Sequence, residues 1–147
     1  MTEEEKEILK HIDSLARLRE ERDILLAEEH RMSAPMSFDI SDADSILACY
    51  RDMQMEGEAE IKSPAVMRMV VLFVVLYIFS PRTLTGGRIA VSGLRHRMAQ
   101  LYHVSDTLIS KNTRSVLFYF RRYRVFRQEA MRLYTRVKNN VRLRSRR

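Results

Sequence analysis

The chain of 147 residues contains one cysteine, three prolines and four glycines, and each shortage removes a class of architecture. A lone cysteine, Cys49, excludes an intramolecular disulfide framework and a cysteine-rich zinc site. Its setting, Ser45-Ile46-Leu47-Ala48-Cys49-Tyr50, makes it a small buried packing residue rather than a reactive thiol, consistent with a reducing cytoplasm. Every Pro and Gly lies at or before Gly93, so residues 94–147 hold no helix breaker, and no Asn-Gly or Asp-Gly hairpin turn occurs anywhere. The expected fold class is therefore all-α. Long apolar runs are missing as well. The longest, residues 69–79, spans 11 residues between Arg68 and Ser80-Pro81, whereas a membrane span needs about 20. A buried core helix is expected there, and no membrane span. Thr2-Glu3-Glu4-Glu5-Lys6-Glu7 is acidic where a secretory signal needs a basic segment, so no such signal is expected and the expected location is cytoplasmic.

Acidic residues are scarce in one half only. Residues 63–147 carry 18 Lys and Arg against two acidic residues, Asp106 and Glu129, for a net charge of +16. Residues 1–62 carry 17 acidic and 8 basic residues, a net of −9, so the overall +7 conceals a sharp partition. A basic segment of that density attracts polyanions and resists compaction by itself. The boundary suggests two regions: 1–62, an acidic helical region suited to oligomerising or docking, and 63–147, a basic helical domain. It also suggests that the acidic half screens the basic one until a polyanion competes.

Thr2 is a plausible N-cap for a first helix, followed by three Glu where the helix dipole favours them. On a heptad the seam of this helix reads Ile8, His11, Leu15, Leu18, Arg22, Leu25, Glu29, Met32. Three of those eight positions are polar, which suits a short oligomerising or docking helix, or a helix covering its own domain, better than a long coiled coil. Residues 33–45 look like a linker ending in a cap at Ser41 or Asp42. A second helix is expected over 43–56, followed by an acidic loop at Glu56-Gly57-Glu58-Ala59-Glu60. Ser63-Pro64 is a helix start, with Ser as N-cap and Pro at the first helical position, and predicts a third helix over 64–79. Its apolar face runs nearly all the way round, which implies burial. The β-branched Val70, Val71, Val74 and Val75 leave a strand as the alternative.

Ala99 stands five residues before Val104, Ser105 follows, and Ile109 lies four beyond. This spacing resembles the helix-turn-helix of bacterial and phage DNA-binding proteins, and with the rest of the chain it has the look of a small prophage or mobile-element protein. The resemblance implies that Ala99 permits a close helix crossing and that Val104 anchors the turn. Ser105 would cap the recognition helix, and Ile109 would face inward. Two positions depart from the pattern. His103 stands where Gly is usual and positive φ is often required, and Asn112 occupies a usually apolar place. Asp106, Thr107, Ser110, Lys111 and Arg114 would then face outward, where Lys and Arg reach guanine edges or phosphate and Ser or Thr reach either.

From Thr113 onward the sequence predicts an extended basic helix with an inward stripe Ile109, Val116, Phe120, Tyr123, Ala130, Tyr134 and Val137. Arg114, Arg121, Arg124, Arg132 and Arg136 fall largely away from that stripe. Phe118, Tyr119, Phe120, Tyr123 and Phe126, interleaved with Arg, could stack on unpaired bases; packing against the 64–79 helix is the favoured alternative. The tail 138–147 is expected to fray and to attract phosphate without reading sequence. Leu108-Ile109-Ser110-Lys111 followed by Arg127-Gln128-Glu129-Ala130-Met131-Arg132-Leu133 is also similar to pieces of the DNA-binding domain of the bacterial replication initiator. The gap between the two pieces is several residues longer here, and that family's signature helix does not follow.

Nothing in the sequence suggests an enzyme or a cofactor. The basic half is nearly free of carboxylates, His11, His30, His96 and His103 form no His-x3-His pair, and Thr85-Gly86-Gly87-Arg88 lacks the Walker pattern. The expectation is an all-α multi-helix protein with a helix-turn-helix and a long basic C-terminal helix, acting as a homodimeric, sequence-specific regulator on double-stranded DNA. Residues 88–120 would dock the duplex. Ser105, Asp106, Thr107, Ser110, Lys111 and Arg114 would enter the major groove, while Arg121 and Arg124 would hold phosphates. The alternative is a helical interaction or structural module whose basic half binds an acidic partner without reading DNA. A peripheral protein on anionic lipid is a weaker third reading.

Overall fold

A computed structural model describes residues 1–37, 39–87, 89 and 92–140. Among these the structure is all-α: seven α-helices, one 3-10 turn at Pro81–Thr85, and no strand. The chain divides into two compact units, Met1–Ala34 and Pro35–Arg147. That division falls inside the linker expected at 33–45, whereas the charge boundary at 62/63 lies within the second unit.

The first unit is one helix, α1 (Glu3–Met32). Thr2 accepts from the Glu5 backbone N–H while Glu5 reaches back to the Thr2 N–H, a reciprocal capping box that fixes the helix start. α1 buries none of its side chains, and Ile8, Ile12, Leu15, Leu18 and Leu25 are all more than half exposed.

The second unit is built around α3 (Pro64–Phe79). Ser63 Oγ accepts from the Val66 N–H and Pro64 opens the helix, as the Ser-Pro pair requires. Ten of its sixteen residues are buried, including the valines that left a strand open. Four helices pack against it: α2 (Ser41–Met55), α5 (Asp106–Thr113), α6 (Val116–Arg122) and α7 (Arg124–Asn140). α4 (Leu94–Tyr102) packs on α5. With apolar neighbours from four helices, this all-round hydrophobic helix removes its side chains from water.

The basic C-terminal region is not one helix from Thr113. It breaks at Tyr123, whose backbone is extended (φ −111°, ψ 116°). The reason lies in Phe120 and Phe126. Six residues apart on one straight helix they would point about 120° apart, so both would not face a single partner. With the break, Phe120 stacks on Phe73 at 4.3 Å and Phe126 meets the same ring edge-on at 6.5 Å. Arg127 closes the end of α6 by donating to the Phe120 and Arg121 carbonyls at 2.9 and 2.8 Å. The inward stripe of α7 is then Phe126, Ala130, Leu133 and Val137, and Tyr123, expected inside, is 49% exposed.

Glu129 lies on that stripe and is fully buried. Its carboxylate accepts from the Tyr50 hydroxyl and from the Glu60 and Ile61 backbone N–H groups, at 2.6 and 3.2 Å for the latter two. Burial, with the neighbouring carboxylate, pushes the Tyr50 phenol far above its ordinary range. This clasp fastens the acidic loop after α2 to α7.

Candidate nucleic-acid interface

α4, the three residues 103–105 and α5 form the element on which the functional expectation rests. α4 ends when His103 takes the left-handed conformation (φ 55°, ψ 44°), the one positive-φ residue other than glycine among the described residues. The Val104 N–H then donates to the Ala99 carbonyl at 3.0 Å and the His103 N–H to the Gln100 carbonyl at 3.2 Å, closing the helix with the Schellman pattern. The departure from Gly is therefore accommodated by backbone geometry. Ala99 is 3% exposed, so a larger side chain there would be forced into the packing of α4 against α5. Ser105 is extended and its Oγ accepts from the Leu108 N–H at 3.1 Å, capping α5. Ile109 is fully buried. Asn112, the other departure, accepts from Arg68 Nε of α3 at 3.0 Å, so a polar tie replaces the usual apolar contact.

The expected groove residues separate into two rows. Asp106 and Ser110 are half-buried and turned toward α4: Asp106 lies 3.2 Å from His96 Nδ1, and Ser110 accepts from Arg95 at 3.1 Å. Thr107, Lys111 and Arg114, at i, i+4 and i+7, are exposed. Beside the two rows lies a cleft of about 700 Å3 whose lining includes Arg95, Ser110, Thr113 and Arg114. Arg88, which would begin the docking region, lies outside the described residues, as do residues 141–147 of the tail; Lys138 and Asn139 continue α7.

Some cations of the basic half pair with carboxylates, and others have no partner among the described residues. Arg97 pairs with Asp44, Arg136 with Glu56 (2.6 Å) and Glu58 (3.2 Å), and Arg132 with Glu60 (3.7 Å). The Arg136 hydrogen bond holds the Glu56 carboxyl below its usual range. Lys111, Arg114, Arg121, Arg122 and Arg124 are exposed and have no hydrogen-bond or ion-pair partner among the described residues. Arg95 and His96, which turn part of α5 inward, were not anticipated. They stand four and three residues before Ala99 on α4, and that spacing does not reveal their partners on α5. No His, Cys, Asp or Glu group suited to a metal ion occurs among the described residues, and none of their helices is long and apolar enough to cross a membrane.

Neither a protein family model, nor a curated protein, nor a solved structure matches the chain.

Proposed function

We propose that this protein is a sequence-specific binder of duplex DNA, a small transcriptional regulator whose α5 enters the major groove. The observation that carries the reading is the junction itself. A buried Ala99, a left-handed His103 and a Ser105 cap together project Thr107, Lys111 and Arg114 outward, and no carboxylate among the described residues neutralises the two cations. Lys111 and Arg114 are suited to guanine edges, Thr107 to a base edge or phosphate, and Arg121 and Arg124 to phosphates. Ser105 and Asp106 serve mainly to build and orient α5, Asp106 through His96.

The bare apolar positions of α1 suit pairing with a second copy, which would place two α5 helices on a two-fold site. Selection from a random pool of duplexes tests the reading: a shared motif is expected, in two half-sites if the protein is a dimer. A pool that never converges would sink sequence specificity. Sedimentation of Leu15→Asp and Leu18→Asp in the full chain tests the dimer, which these changes are expected to dissociate.

One observation favours a second reading. Arg132 and Arg136 already hold three carboxylates of the 56–60 loop, so the basic surface is suited to an acidic protein segment. In that case the basic half docks an acidic partner and reads no sequence.

A further inference from the structure

Two large aromatic side chains stand on the surface at the α6–α7 break. Phe118 is 56% exposed and Tyr123 49% exposed, although the aromatics around them, Phe120 and Phe126, pack on Phe73. The exposed rings lean on each other and on Tyr119: Phe118–Tyr123 6.2 Å, Phe118–Tyr119 6.0 Å, Tyr119–Tyr123 5.2 Å between centroids. Phe118 meets the two tyrosines edge to face, the tyrosines are tilted at 47° to each other, and the three form a small cluster with Phe118 and Tyr123 largely open to solvent.

Three cations adjoin it along the chain. Arg121 and Arg122 follow Phe118 at i+3 and i+4, the same face of α6, and Arg124 follows Tyr123 directly. All three are exposed and have no hydrogen-bond or ion-pair partner among the described residues. From residue 107 to 128 there are six Lys and Arg and no Asp or Glu, so nothing local neutralises them.

We propose that Phe118, Tyr119 and Tyr123, flanked by Arg121, Arg122 and Arg124, form a stacking platform for unpaired nucleobases, a single-strand site separate from α5. Aromatic faces take any base, and the guanidinium groups take the phosphates that carry it; both halves of the match are needed for single-stranded nucleic acid. An acidic peptide would use the cations but has no planar rings to offer, and an anionic membrane would want a broader apolar face. Such a site would let the protein hold a melted or single-stranded segment beside a duplex.

The test compares a short oligothymidylate with an abasic oligonucleotide of equal length, so that charge is constant and only the bases differ. The wild-type chain is expected to bind oligothymidylate roughly ten-fold more tightly. The paired change Phe118→Ala and Tyr123→Ala is expected to erase that gap while leaving abasic binding unchanged. Both side chains are exposed, so the helical signal in circular dichroism should not change. Independently of any variant, oligothymidylate should quench the wild-type tyrosine emission and the abasic strand should not. No preference for bases in the wild type, or a preference that survives the double change, overturns the proposal. Binding of anionic vesicles or polyglutamate that depends on Phe118 and Tyr123, without a preference for bases, would assign the patch to lipid or acidic protein instead. Lys111→Ala with Arg114→Ala is expected to keep the preference for bases, so failure of the duplex reading leaves this one standing.

Discussion

The Val104 N–H reaches back 3.0 Å to the carbonyl of Ala99, and this bond exists only because His103 between them adopts φ 55°. A β-carbon in the left-handed region costs roughly 1–2 kcal/mol, which glycine avoids. His103→Gly is therefore expected to stabilise the fold by about 1 kcal/mol, raising Tm by about 4 °C in a thermal melt. His103→Val should lower it. A fall in Tm for the glycine variant would mean that the turn is held by the imidazole and not by the backbone.

Glu129 is the only acidic side chain of the basic half that is fully buried, and three donors converge on it. Glu129→Ala strands all three, and is expected to cost about 3 kcal/mol or more in urea unfolding. Tyr50→Phe removes one donor and is expected to cost about 1–2 kcal/mol. A double-mutant cycle should show strong coupling; additive losses would contradict the clasp.

Cys49 is 7% exposed, and burial raises its thiol pKa. Alkylation of the native protein at mildly alkaline pH is expected to run roughly 100-fold or more slower than that of free cysteine, and to become fast in denaturant. Rapid native labelling would place the thiol at the surface.

Screening of the basic half is narrower than the charge partition suggests. Deleting residues 1–62 would remove Ile46, Tyr50 and Met53 from the core, so it is no test of screening. Among the described residues, the ion pairs that cross the charge boundary are those of Asp44 with Arg97 and of Glu56, Glu58 and Glu60 with Arg132 and Arg136. Changing the three glutamates to Gln is expected to tighten binding to random duplex at low salt. It should also steepen the log–log salt slope by about 1–2, as two cations are freed. An unchanged slope would show that these arginines do not meet phosphate.

Much of the fold was legible because its signals are local. Ser63-Pro64 started α3, Ser80-Pro81 ended it, and Thr2 with Glu5 capped α1. The Ala99–Val104–Ser105–Ile109 spacing likewise foretold that Ala99 and Ile109 are buried and that Ser105 caps α5, while Val104 is only partly buried against the core. What stayed hidden depends on partners far along the chain. The break at Tyr123 follows from Phe73 needing both Phe120 and Phe126, and no breaker residue marks it. Periodicity that assumed one unbroken helix therefore turned Tyr123 inward. Asp106 and Ser110 were read as free because Arg95 and His96 lie on another helix, and pairing across helices leaves no periodic trace.

The central claim is that α5 reads bases, and discrimination between duplexes tests it most directly. Affinity for a selected duplex and for its scrambled counterpart would be measured across a salt series, for the wild type, Lys111→Ala with Arg114→Ala, and Arg121→Ala with Arg124→Ala. The account predicts a steep negative salt slope, roughly 0.9 per phosphate contact, and a preference for the selected duplex. That preference should collapse in the Lys111 and Arg114 variant and survive, at weaker overall affinity, in the Arg121 and Arg124 variant. Undiminished discrimination without Lys111 and Arg114, or no DNA binding at low salt, would contradict it.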